Sequence, residues 1–468
     1  MNAVTQRMMQ WWVGLGPRYL PFADAATPEV PLSRLLRLAL FQVSVGMALV
    51  LVVGTLNRVM IVELGVSATI VAVMISLPVL FAPFRALIGF RSDTHRSALG
   101  WRRVPFIWQG TLVQFGGLAI MPFALLVLSG GGNASSAPAW VGPLAAGLAF
   151  LLVGAGLHTT QTAGLALATD LVPPESHPKV VGLMYVMLLT GMVASGLLFG
   201  VLLQDFSPAR LVQVIQGAAV ATLALNMVAL WKQEARRPGR PQAHPSQADF
   251  RAAWAQFARQ PDATRHLAVL ALGTLAFSMQ DVLLEPYGGE ILGMSVSGTT
   301  LLTAALAAGT LVGFVWASRL LSSGGHPFKL AHYGALGGIP AFALVIAAAP
   351  SQSALVFGCG AFCVGLAAGL FGHATLTASM ALAPTEQRGL ALGTWGAVQA
   401  TAAGVGVAIG GITRDGVGAL ADAGAISGST YGAATGYLAV YALEMALLAA
   451  AVLVVAPLAR SGLRTHQA

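Results

Sequence analysis

Two histidines stand inside long apolar runs, where a polar side chain is costly and marks a functional candidate. Each follows a glycine by four residues: Gly154 precedes His158, and Gly369 precedes His373. A helical side chain leans back over the preceding turn, so a glycine there leaves an open notch beside the imidazole. Gln161 and Thr162 share the face of His158 by their spacing. An imidazole so placed can hold a ligand or hydrogen-bond a neighbouring helix, and both readings stand. Asp281 and Glu285, four residues apart in QDVLLEPYGGE, and Glu444, in the middle of the last apolar run, are the acids that could carry protons. Equally, the first two suit an interface and the third a hydrogen bond to a neighbouring helix. Arg58, flanked by Asn57 and Glu63, either snorkels to the membrane surface or pairs with a nearby acid. No nucleophile with a base, metal-ligand cluster or phosphate-binding glycine loop appears, so neither a catalytic residue nor a metal is expected. Cys359 and Cys363, one helical turn apart, read as packing residues.

These residues need a frame, and composition names its solvent. Of 468 residues 56% are hydrophobic and 9% charged, with mean hydropathy +0.76; a soluble domain is nearer one quarter charged. Runs long enough to cross a bilayer fall near 36–61, 68–89, 105–128, 141–168, 180–203 and 211–231. A second set falls near 266–284, 297–320, 330–349, 353–382, 390–412 and 435–457. The fold class expected is therefore an all-α membrane protein of about twelve transmembrane helices in two six-helix halves. Residues 1–34 form an N-terminal segment whose Trp11, Trp12, Arg18 and Tyr19 suit the membrane interface, 35–231 the first half, 232–265 a linker, 266–458 the second half and 459–468 a tail. Within the linker Phe250, Trp254 and Phe257 would line one face of a short amphipathic helix. Glycines recur as small-xxx-small pairs at 196/200, 309/313, 365/369 and 406/410, which let helices approach closely. With both termini cytoplasmic, only Arg58, Arg210 and Arg414 of the 25 Lys and Arg fall on the far side. The net charge of +8 thus reports topology, and no nucleic-acid partner is expected because the charge is scattered over loops.

An internal repeat supports the two halves: Pro173 and Pro384, Glu175 and Glu386, Gly182 and Gly393 are each 211 residues apart in equivalent loops. Between the second and third spans, Gly89, Asp93, Arg96, Gly100, Arg102 and Arg103 match the loop motif of the major facilitator superfamily. A carboxylate among guanidinium groups there can latch the two halves together on the cytoplasmic side, or simply fix topology. The stretches APFRALIGFRSDTHRSALGWRRVPF, GLHTTQTAGLALATDLVP and FSMQDVLLEPYGGEILGMSVSGTT resemble the PucC/LhaA branch of that superfamily. The resemblance covers essentially the whole chain, and the N-terminal stretch FADAATPEVPLSRLLRLALFQ resembles the LhaA side more. It implies a non-enzymatic factor for assembling the core light-harvesting antenna in the intracytoplasmic photosynthetic membrane of a purple phototrophic bacterium. It further implies bacteriochlorophyll as cofactor, with His158, Gln161 and His373 beside Gly154 and Gly369 as the pigment site. Core antenna polypeptides are the partners it implies, with chlorophyll synthase, the membrane insertion machinery and lipid around them. The superfamily also places the fourth and tenth helices as symmetry mates around one central cavity. A proton-coupled transporter of a small solute is the competing expectation, weakened by the scarcity of ionisable residues near mid-membrane.

Overall fold

The computed structural model describes residues 22–78, 88, 92, 100–130, 138–234, 263–382, 388–424 and 432–461. Every regular element among them is helical. The first half comprises α1 (Leu32–Glu63), α2 (Ala68–Ser76), α3 (Val104–Leu128), α4 (Val141–Asp170), α5 (His177–Leu202) and α6 (Pro208–Leu230). The second comprises α7 (Ala263–Glu290), α8 (Val296–Ser322), α9 (Pro327–Ser351), α10 (Ala354–Leu382), α11 (Arg388–Asp422) and α12 (Thr435–Ser461). Among the described residues eleven of these are long and apolar enough to cross a membrane, and α2 is described only as far as residue 78. The chain is a multi-pass membrane protein. The rest of the expected second span, with Gly89, Asp93 and Arg96, lies outside the described residues, as do Pro384, Glu386, the linker face of Phe250, Trp254 and Phe257, and the first 21 residues.

Local sequence sets the helix starts. Ser67, Ser207 and Ser295 accept hydrogen bonds from backbone N–H groups three residues on, capping α2, α6 and α8. Pro208 and Pro327 occupy first turns, where a missing N–H costs nothing. The outer surface is what lipid demands: Leu355 is 77% and Leu453 75% exposed, a burden in water and none in a bilayer.

Packing repeats between the halves. Helix α3 packs on α4 and α6, as α9 packs on α10 and α12; α1 packs on α5 and α6, as α7 packs on α11 and α12. Across the halves α5 meets α8, and its mate α11 meets α2. Glycines make these contacts close. A side chain at Gly309 or Gly313 of α8 would strike the backbone of α10, while one at Gly365 or Gly369 of α10 would strike the backbone of α8. Gly406 and Gly410 likewise lie on α7 at Leu275 and Met279, and Gly196 lies across the halves on Ala304. Absent a hydrophobic drive between helices in lipid, such contact is what binds them.

Helices α1, α7 and α11 depart from the plain spans expected; α7 breaks at a 3₁₀ stretch over Gln280–Val282 and runs on to Glu290. Helix α1 is π-helical at Val50–Thr55 and Val59–Glu63, around a short α turn at Leu56–Arg58; such segments concentrate at functional sites. Helix α11 runs ten residues beyond the expected end, to Asp422, and carries Arg414 and Asp415 to polar partners.

Candidate functional site

Between the halves, toward the arginine-rich face where α1 begins, aromatic rings from both halves meet. Tyr185 of α5 lies 6.2 Å from Trp395 of α11 and 6.2 Å from Phe314 of α8. Phe314 lies 4.2 Å from the His373 ring of α10. Phe22, ahead of α1, closes the group at 5.7 Å from His373 and 6.1 Å from Phe314. Its backbone has φ 61°, a left-handed conformation rare for a bulky residue. The ring also fills the space over Gly182, where a side chain would strike it, and Lys179 pairs with Asp24 at 2.5 Å. His373 is 6% exposed, and its Nδ1 has no hydrogen-bond partner.

The notches expected beside the histidines do not exist. Pro78 fills the place where Gly154 would carry a side chain, and the α8 backbone at Thr310 and Phe314 fills the place at Gly369. Both glycines serve helix packing, so neither leaves a slot beside its imidazole. His158 is half-buried on α4, Thr162 turns its hydroxyl to the His158 carbonyl at 2.7 Å, and Gln161 meets Gln42 of α1 at 3.4 Å.

The opposite face holds the expected charges. Arg58 is 4% exposed and donates to Glu63 at 2.5 Å and to the Met294 carbonyl at 3.1 Å; it pairs rather than snorkels. Glu285, 2% exposed, accepts from the Thr303 hydroxyl and lies within electrostatic reach of Arg58. Gly54 in the first π-helical stretch admits this carboxylate, since a side chain there would collide with it. Asp281 accepts from the Gln280 amide at 2.8 Å. Glu444, fully buried on α12, faces the Gln280–Asp281 turn without closing a hydrogen bond to it. The structure thus joins α7 and α12 acids that the sequence left separate. Further out, Arg414 bridges Glu290 at 2.6 Å and Asp415 at 2.8 Å, Tyr437 donates to Glu290 at 2.8 Å, and Asp415 accepts from the Thr69 backbone at 2.7 Å. Bonds between the halves collect here, through Thr55 and Thr300 at 3.2 Å, Asn57 and Val282 at 2.9 Å, and Ser297 and Gly200 at 2.7 Å.

Of the arginine motif, Arg102 and Arg103 staple elements of the first half together, while Gly89, Asp93 and Arg96 of the expected latch lie outside the described residues. Arg102 and Arg103 both donate to Asp170 at the end of α4 at 2.9 Å, and Arg103 donates to Ser92 at 2.6 Å. Glu234, after α6, accepts from the N–H groups of Arg102, Arg103 and Val104, capping α3 with a carboxylate. Gly100 supplies the turn before them at φ 79°. Asp170 and Glu234 were missed. An acid ending a helix opposes the dipole and asks for a cation, a signal that could have found Asp170; Glu234 has no local signal.

The sequence model of the family described as PUCC protein matches residues 55–463. The chain belongs to the PucC family. Protein PucC of Rhodovulum sulfidophilum is 62% identical over 89% of this chain and 92% of its own length. Protein PucC of Cereibacter sphaeroides is 55% identical over 98% and 99%. A Rhodobacter capsulatus protein described as an uncharacterized protein in the puhA-bchM intergenic region is 54% identical over 96% and 94%. Relatives named Protein PucC are thus at least as similar as this one. Neither PucC name is that of an enzyme; a relative with an enzyme's name, the bacteriochlorophyll synthase 44.5 kDa chain of Rhodobacter capsulatus, is 28% identical. Among solved structures, a D-xylose-proton symporter superposes with TM-score 0.67 over 90% of this chain and 96% of its own, at 14% identity. A bacterial Spinster homologue gives 0.66 over 91% and 96%, at 17%. The chain therefore has the fold expected, that of the major facilitator superfamily.

Proposed function

We propose that this PucC-family protein is a non-enzymatic assembly factor for the light-harvesting antenna of a purple phototrophic bacterium. It escorts bacteriochlorophyll to antenna polypeptides, those of the core complex included, in the intracytoplasmic membrane. The observation that carries the reading is family membership along nearly the whole chain. Chlorophyll synthase and the insertion machinery belong in the same reading as neighbours, since pigment and antenna helices have to meet in the bilayer.

Within the chain, His373 is the residue best suited to hold pigment. Bound bacteriochlorophyll would supply a magnesium ion, which a neutral imidazole nitrogen such as that of His373 would hold. The His373 Nδ1 is buried and unpartnered among rings from both halves. Phe22 is the one ring of that group carried by a segment outside the helical halves, so its withdrawal opens space without unpacking a helix. His158 and Gln161, on the facing half, are the second candidates.

Deleting the gene and recording membrane absorption tests the function. Assembled antenna falls while bacteriochlorophyll synthesis continues, and the ratio of core to peripheral bands tells which antenna is served. Normal antenna with loss of uptake or export of a defined solute would install the transporter reading. Accumulation of a biosynthetic intermediate would install an enzyme. In the purified protein, His373→Ala with His158→Ala lowers pigment per mole while the protein remains folded; an unchanged yield returns both residues to packing.

A further inference from the structure

We propose that Asp281 of α7 and Glu444 of α12 form a proton-binding site inside the membrane, holding one proton between them, separate from the aromatic compartment around His373. Glu444 is fully buried, and neither of its carboxyl oxygens has a hydrogen-bond partner. Around it the unpartnered groups are also oxygens. Asn57, fully buried, gives its N–H to the carbonyls of Asp281 and Val282 and leaves its own oxygen unpartnered. Gln280, 2% exposed, gives its N–H to Asp281 and likewise leaves its oxygen unpartnered. The Tyr441 hydroxyl, within electrostatic reach of Glu444, is an unpartnered donor in this group, and one hydroxyl is fewer than the two carboxyl oxygens and two amide oxygens left as acceptors. One added proton turns a carboxylate into a donor and removes a like charge in a poorly solvated place.

The groups facing Glu444 do not supply that charge. Helix α7 presents Gln280 and Asp281 to it and α12 itself presents Tyr441, which packs in turn on Tyr287 of α7 and Phe342 of α9. Arg414 of α11 is engaged outward with Glu290, Asp415 and Tyr437, and Arg58 with Glu63 and Met294. Asp281 is half-buried and Glu444 sealed, so the proton passes from water to Asp281 and on to Glu444, with only O–H bonds made and broken. Because Asn57 of the first half is bonded to the same turn of α7, the contact between halves senses the charge state.

Infrared difference spectra of the full chain in lipid nanodiscs, perfused between acidic and alkaline buffer, test this. A protonated-carboxyl carbonyl band titrates in the wild type. Glu444→Gln, close in size, removes it, and Asp281→Asn shifts the midpoint of what remains by about one pH unit, about tenfold in proton affinity. Thermal unfolding of each variant confirms that it is folded. A band unaltered in folded Glu444→Gln, an unmoved midpoint in Asp281→Asn, or a midpoint set by sodium concentration at fixed pH would each overturn the proposal.

Discussion

Asn57 of α1 donates to the carbonyl of Val282 at 2.9 Å, binding the first half to the turn where α7 gives up its α-helical pattern for a 3₁₀ stretch at Gln280–Val282. Two backbone carbonyls freed by that break, of Asp281 and Val282, find their donor in the other half. Asn57→Ala therefore leaves buried carbonyls without a partner, a cost of about 1–3 kcal/mol. A lowered thermal midpoint in mild detergent checks it, and an unchanged midpoint would mean that water replaces the amide.

Glycine positions divide sharply. Gly365→Ala drives a methyl into the Leu306 backbone of α8, whereas Gly217→Ala meets open space. Overpacking costs about 1–3 kcal/mol, so the first variant unfolds at lower temperature and the second matches the wild type. Equal midpoints for the two would show that α8 and α10 separate freely.

Glu234→Ala removes a carboxylate from three N–H groups at the start of α3. Loss of a cap and of its charge at a helix N-terminus costs about 1 kcal/mol. Glu234→Gln, which keeps an acceptor but not the charge, falls between the alanine variant and the wild type in thermal unfolding.

How much of this was legible follows from what each residue depends on. Helix positions depend on local hydropathy, and all of the expected spans start or run within a few residues of the helices found. The glycine pairs announced close packing, but not that Gly309/Gly313 and Gly365/Gly369 face each other. That pairing is tertiary. His158 and His373 stood out because polar groups are rare in lipid, yet the notch at Gly154 depends on Pro78, which periodicity cannot place. Asp281 and Glu444 are 163 residues apart; only the packing of α7 on α12 joins them. Phe22 carried no signal, since its role comes from where the segment before α1 folds back.

Orientation rests on charge alone. With the arginine-rich face cytoplasmic, a phosphatase fused inside residues 232–265 stays inactive and a fluorescent reporter that matures only in the cytoplasm stays dark at Gly131. Activity at the first fusion, or fluorescence at the second, inverts the topology.

Phe22 offers the last test, because it occupies the compartment that pigment would need. Its ring lies against His373, Phe314 and Gly182, and its backbone sits in a left-handed conformation that a bulky side chain rarely adopts. Packing has to hold it there against that preference, at a cost of about 1–3 kcal/mol. Phe22→Ala removes the ring and leaves every helix intact, so more pigment associates with the purified protein. Phe22→Gly relieves the backbone as well, and its free segment then gives up the Lys179–Asp24 pair. A cysteine at position 314 reports the opening directly: its maleimide labelling speeds up in the Phe22→Ala background and slows again when pigment is bound. Faster labelling with no gain in pigment would keep Phe22 as a cover of the compartment and remove pigment from it. Labelling unchanged by the substitution would mean that the helices themselves, and not the segment before α1, close this face.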